Sequence, residues 1–148
     1  VEDVALARKI RKSGFDMRMY YGSGSVACRM YRSGSDIRSG FRKNFLAGFG
    51  YNVPLFLLAG ALHLAVYVVP YAALAYGVVV HTHTLILWSA VPVSLISLHR
   101  LLIALWFGWN PLYGILHPVS VLWYQGLAAT VLIDYFRGRK PEWKGRPV

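Results

Sequence analysis

The sequence predicts a mainly α-helical integral membrane protein with about three spanning helices, preceded by a short α/β segment outside the bilayer. Three observations carry this. From Asn44 to His99, and again from Leu101 to Ile133, the 148-residue chain has no Asp, Glu, Lys or Arg, and Arg100 stands alone between the two runs. Hydrophobic residues make up 56% of the chain, yet its net charge is +10. That charge sits at the flanks: residues 1–43 hold ten Lys/Arg against four acids, and the last fifteen residues hold five against two. A spanning helix needs roughly 20 apolar residues, so the uncharged runs have room for two to four spans. Ten Tyr and five Trp, many near the run ends, suit the interfacial aromatic belt.

The elements follow in order. Residues 2–12 read as a short helix, with Glu2 and Asp3 at the front and Lys9, Arg11 and Lys12 at the back, as the helix dipole favours. Ser13-Gly14 ends it. Phe15–Tyr21 and Val26–Tyr31 read as two short strands separated by Gly22-Ser23-Gly24-Ser25. Asp36 is expected to cap an amphipathic helix over residues 35–50. It carries Ile37, Phe41 and Phe45 on one side and Arg38, Arg42 and Lys43 on the other, and lies in the membrane interface. Spans are expected near Val53–Tyr76, kinked at Pro70, near Leu85–Leu98, and over about Leu112–Ile133. His81-Thr82-His83-Thr84 is the turn between the first two; Arg100 marks the end of the second, after which Leu101–Phe107 can continue along the interface, and Gly108-Trp109-Asn110-Pro111 is a break that leaves room for a re-entrant hairpin. The expected organisation is thus 1–34 outside the bilayer, 35–50 interfacial, 51–136 transmembrane, and 137–148 a basic tail. Because the basic segments border apolar spans, they point to anionic lipid headgroups and a cytoplasmic location. Nucleic acid is not expected, since it calls for a soluble basic face.

Several residues are candidates for chemistry. A carboxylate at a helix start near a membrane surface can act as a general base toward a hydroxyl, so Glu2 and Asp3 are candidates. Neighbours on a helix diverge by roughly 100°, so only one of them faces a substrate; both also serve as ordinary dipole complements. Arg29, Tyr31, Arg32 and Lys43 offer guanidinium and ammonium groups for a diphosphate, or form a solvated or lipid-facing basic patch. His81 and His83 have no third metal ligand nearby, so no metal site is read here. Ionisable groups inside a span are functional candidates, which flags His63 and His117; bonding to a neighbouring helix is the alternative, and Gln125 in the third span has the same two readings. Cys28 is the only cysteine, so there is no disulfide framework.

Taken together, Glu2-Asp3-Val4 with Leu6-Ala7, Gly14, Arg29-Met30-Tyr31, and Gly40-Phe41 with Lys43-Asn44 resemble the end of the catalytic domain in membrane glycosyltransferases of family 2. The similar types are the ceramide, carotenoid and hopanoid-associated enzymes. His117-Pro118, Asp134 and the tail with Trp143-Lys144-Gly145-Arg146 continue the likeness. The resemblance implies a GT-A catalytic domain of which residues 1–34 are the end, and the chain, opening at Val1, is expected to continue an upstream part. It further implies a nucleotide-sugar donor, a lipid or isoprenoid acceptor, an inverting reaction, and a divalent metal (Mg or Mn) whose ligands lie upstream. In that family the Asp of the Glu-Asp pair is the general base, here Asp3. The family's Gln/Arg-x-x-Arg-Trp motif is matched in spacing by Arg29 and Arg32, with Ser33 in place of Trp, which argues against a processive polysaccharide synthase. The competing class is a non-catalytic membrane scaffold or small transporter subunit.

Overall fold

The computed structural model describes residues 2–139 apart from Met19, Tyr21 and Ser23, together with residues 142–143 and 146–147; the side chains of Glu2 and of the last four are outside the description. The chain forms two compact units, residues 1–52 with 131–148, and residues 53–130.

The first unit begins with α1 (Glu2–Lys12), closed where the Phe15 N–H donates to the Ile10 carbonyl and Gly14 takes φ +83°. The expected strands do not form: the described residues between Phe15 and Tyr31 are irregular apart from a turn at Gly24-Ser25, and Met19 and Tyr21 lie outside the described residues. Phe15 and Val26 are exposed. A two-stranded ribbon with no sheet or helix to cover it is marginal, which accounts for the difference. Hence no end of a GT-A domain is shown by residues 1–34.

Helix α2 (Gly34–Gly48) starts one residue before the expected position, and its cap is Ser33, not Asp36. The Asp36 N–H donates to Ser33 Oγ at 3.1 Å, and Asp36 Oδ2 accepts the Arg32 N–H at 3.2 Å. The acid is at the third helical position and accepts from the N–H of the residue before the cap, not from that of the cap residue as a capping box would. Later in this unit come the end of α6 (His117–Phe136) and two two-residue strands, β1 (Glu142–Trp143) and β2 (Arg146–Pro147), paired antiparallel. Lys144 and Gly145 of the tail motif lie outside the described residues.

Among the described residues three helices are long and apolar enough to cross a membrane: Val53–Val79 and His83–Phe107 in the second unit, and His117–Phe136, which begins in the second unit and ends in the first. The first is α3 (Val53–Tyr67) and α4 (Val69–Val79), broken at Val68. Pro70 has no N–H to give and its ring crowds the carbonyl four residues back, so one rung is lost. The ladder resumes around it, from Val68 N–H to Leu64 and from Ala72 N–H to Val68. The His81-Thr82 turn follows, with His81 at φ 55°. There Gly77 lies against α5 (His83–Phe107), where a Cβ would sit 3.2 Å from the Ile86 backbone nitrogen. Helix α5 runs through Arg100, contrary to expectation, and ends on left-handed Gly108, whose N–H reaches Ala104 and Leu105. A single charge does not stop a helix; the Gly108–Pro111 break does. A 3-10 turn (Pro111–Gly114) precedes α6, which begins five residues after the expected Leu112.

The direction of travel is informative. Gly60 and His63 of α3 meet Gln125 of α6, while Tyr67 meets His117, so these helices are antiparallel. Tyr71 of α4 meets Ser97 of α5 at 3.3 Å and Gly77 meets Ile86, so this pair is antiparallel too. Helices α5 and α6 therefore run the same way, and residues 108–116 double back alongside α5, with Gly114 against Arg100. Helix α6 starts level with Tyr67, near the middle of the first span, and both ends of this unit lie at the same end of the bundle. This departs from a simple passage of three crossings. Phe56, Ile96, Ala104, Val121, Leu127 and Ala128 are buried between helices, whereas Trp88 and Trp106 are 76% and 85% exposed. Such outward aromatics belong in lipid.

Candidate functional site

In the first unit a small open cleft of about 50 Å³ lies between α2 and the end of α6. Helical spacing along α2 puts Arg42, Lys43, Leu46 and Ala47 on its wall; Val131, Asp134 and Tyr135 come from α6. Arg42 Nη2 donates to Asp134 Oδ2, and Arg139 Nη1 stands 3.8 Å from Asp134 Oδ1. Arg139 reaches back because its own N–H closes on the Asp134 carbonyl at 2.9 Å, past Gly138 at φ 67°. Tyr51, held at φ 60°, and Tyr135 supply phenols at the rim. The floor is apolar, with Leu46 and Val131 buried. Among the described lining residues, Arg42, Lys43 and Arg139 are cationic and Asp134 is a carboxylate.

The residues singled out from the sequence are distributed differently. Asp3 is exposed on the first turn of α1, and the side chain of Glu2 lies outside the described residues. Arg29 and Arg32 are exposed in the irregular segment. Tyr31 is half-buried: its ring rests on α2 over Gly40, where any Cβ would overlap it, and 6.1 Å from the Phe41 ring. Lys43 lines the cleft. The fold thus brings Tyr31 to α2 and Lys43 to the cleft, and shows no common site for Asp3, Arg29 and Arg32. The divalent metal implied by the resemblance has no group of three or more His, Cys, Asp or Glu among the described residues to hold it. Asp134 and Arg139 escaped the reading as site residues. One signal was present: Asp134 is the sole acid between Asp36 and Glu142, and a lone carboxylate at the end of an apolar run calls for a cationic partner.

The polar residues within the spans form a chain in the second unit. Gln125 Nε2 donates to the Gly60 carbonyl at 3.4 Å and lies 3.2 Å from His63 Nδ1. Tyr67 sets its ring edge-on between His63, at 5.2 Å, and His117, at 5.0 Å. His63 is therefore bonded to a neighbouring helix. Arg100 Nε and His117 Nε2 are buried without a hydrogen-bond partner among the described residues. His81 and His83 are exposed at the turn. No protein-family model, no curated protein and no solved structure matches this chain.

Proposed function

We propose that this chain is the membrane-embedded C-terminal part of an inverting glycosyltransferase of the family 2 type, moving a sugar from a nucleotide donor to a lipid or isoprenoid acceptor. One observation supports this beyond the resemblance itself. The two motif segments that carry the resemblance, Arg29-Met30-Tyr31 and Gly40-Phe41 with Lys43-Asn44, lie against each other through the Tyr31 ring. In this reading Asp3 takes the proton from the acceptor hydroxyl as its oxygen attacks the anomeric carbon. The nucleoside diphosphate leaves with the bonding pair, and Arg29 and Arg32 balance its charge. Glu2 supports Asp3, and the metal belongs to the upstream part. The catalytic side is read as cytoplasmic, in a plasma or inner membrane, because Lys and Arg flank the spans.

Asp3→Asn in the full-length enzyme is expected to leave expression and donor binding near normal while kcat falls by at least about 100-fold. Turnover at a near wild-type rate would reduce the carboxylate to a helix-start residue, worth roughly 0.3–1 kcal/mol of stability. A small transporter subunit is the second reading, favoured by the Gln125–His63–Tyr67–His117 chain inside the spans. An upstream nucleotide-binding region with an Asp-x-Asp motif separates the two.

A further inference from the structure

We propose that Arg100 and His117 form an intramembrane binding site for the carboxylate of a single-chain lipid. Three observations converge on this pair. The first is a charge with no counter-charge in its unit. Residues 37–133 contain no Asp or Glu, and Arg100 is the one Lys or Arg between Lys43 and Arg137. A charge on a spanning helix is costly unless an opposite charge or a polar group meets it. Arg100 Nε is nevertheless buried with no hydrogen-bond partner among the described residues, so neither bulk water nor a neighbouring helix satisfies it.

The second observation is a matching group. His117 Nε2, at the start of α6, is likewise buried and without a hydrogen-bond partner among the described residues. Gly114, three residues earlier, lies against Arg100, where a Cβ would sit 3.4 Å from the arginine Cβ. The charges of Arg100, His63 and His99 all bear on His117. Arginine Nε always carries a hydrogen, and imidazole Nε2 carries one in one neutral tautomer and in the cation. Two such donors suit the two oxygens of a carboxylate. The third observation is in the backbone. One antiparallel turn along from the Tyr71–Ser97 contact, Arg100 is level with Val68, where the first span is broken. Next to that break, the Tyr67 ring meets His117. Helix interruptions within a span free backbone polar groups, and membrane proteins hold polar ligands at such places.

The same depth selects the class of ligand. A phosphomonoester keeps charge at neutral pH, whereas a carboxyl group can take up a proton and cross apolar depth uncharged. Releasing that proton to water beside Arg100 leaves a charge-assisted hydrogen bond. A long-chain fatty acid fits this description, with its chain among the lipid tails.

The test is native mass spectrometry of the purified full-length protein with oleate, oleyl alcohol or oleyl phosphate at equal concentration. No nucleotide sugar is present, so the result does not depend on the proposed glycosyl transfer. Oleate is expected to be retained in preference to both others. Its retention should fall about ten-fold on Arg100→Leu and about three-fold on His117→Phe. Without oleate, Arg100→Leu should leave Tm unchanged or raise it, because an unpaired charge leaves the span; this separates a lost site from a lost fold. Arg137→Ala removes the same charge from an exposed position outside the spans and should change retention less than two-fold. Oleyl alcohol retained as well as oleate, or unchanged oleate retention in Arg100→Leu, would overturn the site. So would a fall in Tm of that variant without oleate, because Arg100 would then already have a partner. Stronger retention of oleyl phosphate than of oleate would overturn the carboxylate assignment in favour of a phosphate headgroup.

Discussion

Tyr31 and Gly40 show how a single missing side chain is used. Gly40 is in the interior of α2, where glycine is about 1 kcal/mol less favourable than alanine, and the ring of Tyr31 takes the space a Cβ would fill. The overlap falls on the outer end of that ring, which belongs to an irregular segment, so the ring can swing off the helix. Gly40→Ala alone is therefore expected to leave stability within about 1 kcal/mol, because the helical gain offsets the lost contact. In a Tyr31→Ala background the same change should stabilise by a further 0.5–1 kcal/mol or so, read as a coupling energy by thermal unfolding in detergent. Zero coupling would mean that the ring does not press on α2 in solution. The motif residues Tyr31 and Gly40 were legible in the sequence; their contact was not, because nine positions of irregular chain and helix start separate them. The cap of α2 teaches a related lesson. Ser33 and Asp36 are both good cap residues, and what assigns the cap to Ser33 is that its hydroxyl accepts the Asp36 N–H while the Asp36 carboxylate is taken by the Arg32 N–H.

At the scale of elements, Gln125 ties α6 to α3. Its amide serves both the Gly60 carbonyl and His63 Nδ1. Hydrogen bonds between helices in a membrane are worth roughly 0.6 kcal/mol on average and up to about 1.7. Gln125→Leu removes both and strands the His63 nitrogen, so it should lower stability by about 1–2 kcal/mol, a fall in Tm of roughly 2–8 °C for a protein of this size. If Gln125 instead faced lipid, leucine would be as stable or more so, and an unchanged or raised Tm would refute the tie. His63 and Gln125 were flagged in the sequence as polar residues in apolar runs, with two readings each. Choosing between them required the antiparallel register of α3 and α6, since 62 positions separate the pair. Arg100 illustrates the limit of charge as a boundary signal: the sequence reads it as the end of a span, but the helix continues to Phe107 because the backbone ladder does not depend on the charge of one side chain.

For the molecule as a whole, the doubled-back segment 108–116 decides which way the chain ends. With α5 and α6 running in the same direction, Val53 and the last turns of the second unit come to the same end of the bundle. The positive-inside tendency, read from the sequence alone, likewise favours one side of a membrane for the basic residues before α3 and after α6. The prediction is direct, because Cys28 is exposed and is the only cysteine. Cys28 in the native chain, and Arg137→Cys in a Cys28→Ser background, should both label from one face of sealed vesicles with a membrane-impermeant maleimide. Labelling from opposite faces would restore three full crossings and contradict the packing of Gly60 with Gln125 and Tyr67 with His117.

The sequence by itself determined the mainly helical class, the three long apolar helices, and the start of the first of them at Val53. Each of these is a property of a contiguous stretch: an uncharged run long enough to span, a Pro or Gly that ends a ladder, a basic segment that stays in water. It also carried the motifs on which the functional proposal rests. Only the tertiary structure decided the path of α6, the chain from Gln125 to His117, and the cleft in which Arg42 meets Asp134 across 92 positions. The physical reason is common to all three. Hydropathy reports how deep a residue lies but not which helix stands beside it or in which direction that helix runs. Those follow from close approaches at particular small residues, Gly60, Gly77 and Gly114, and from a turn that sends the chain back along its own side.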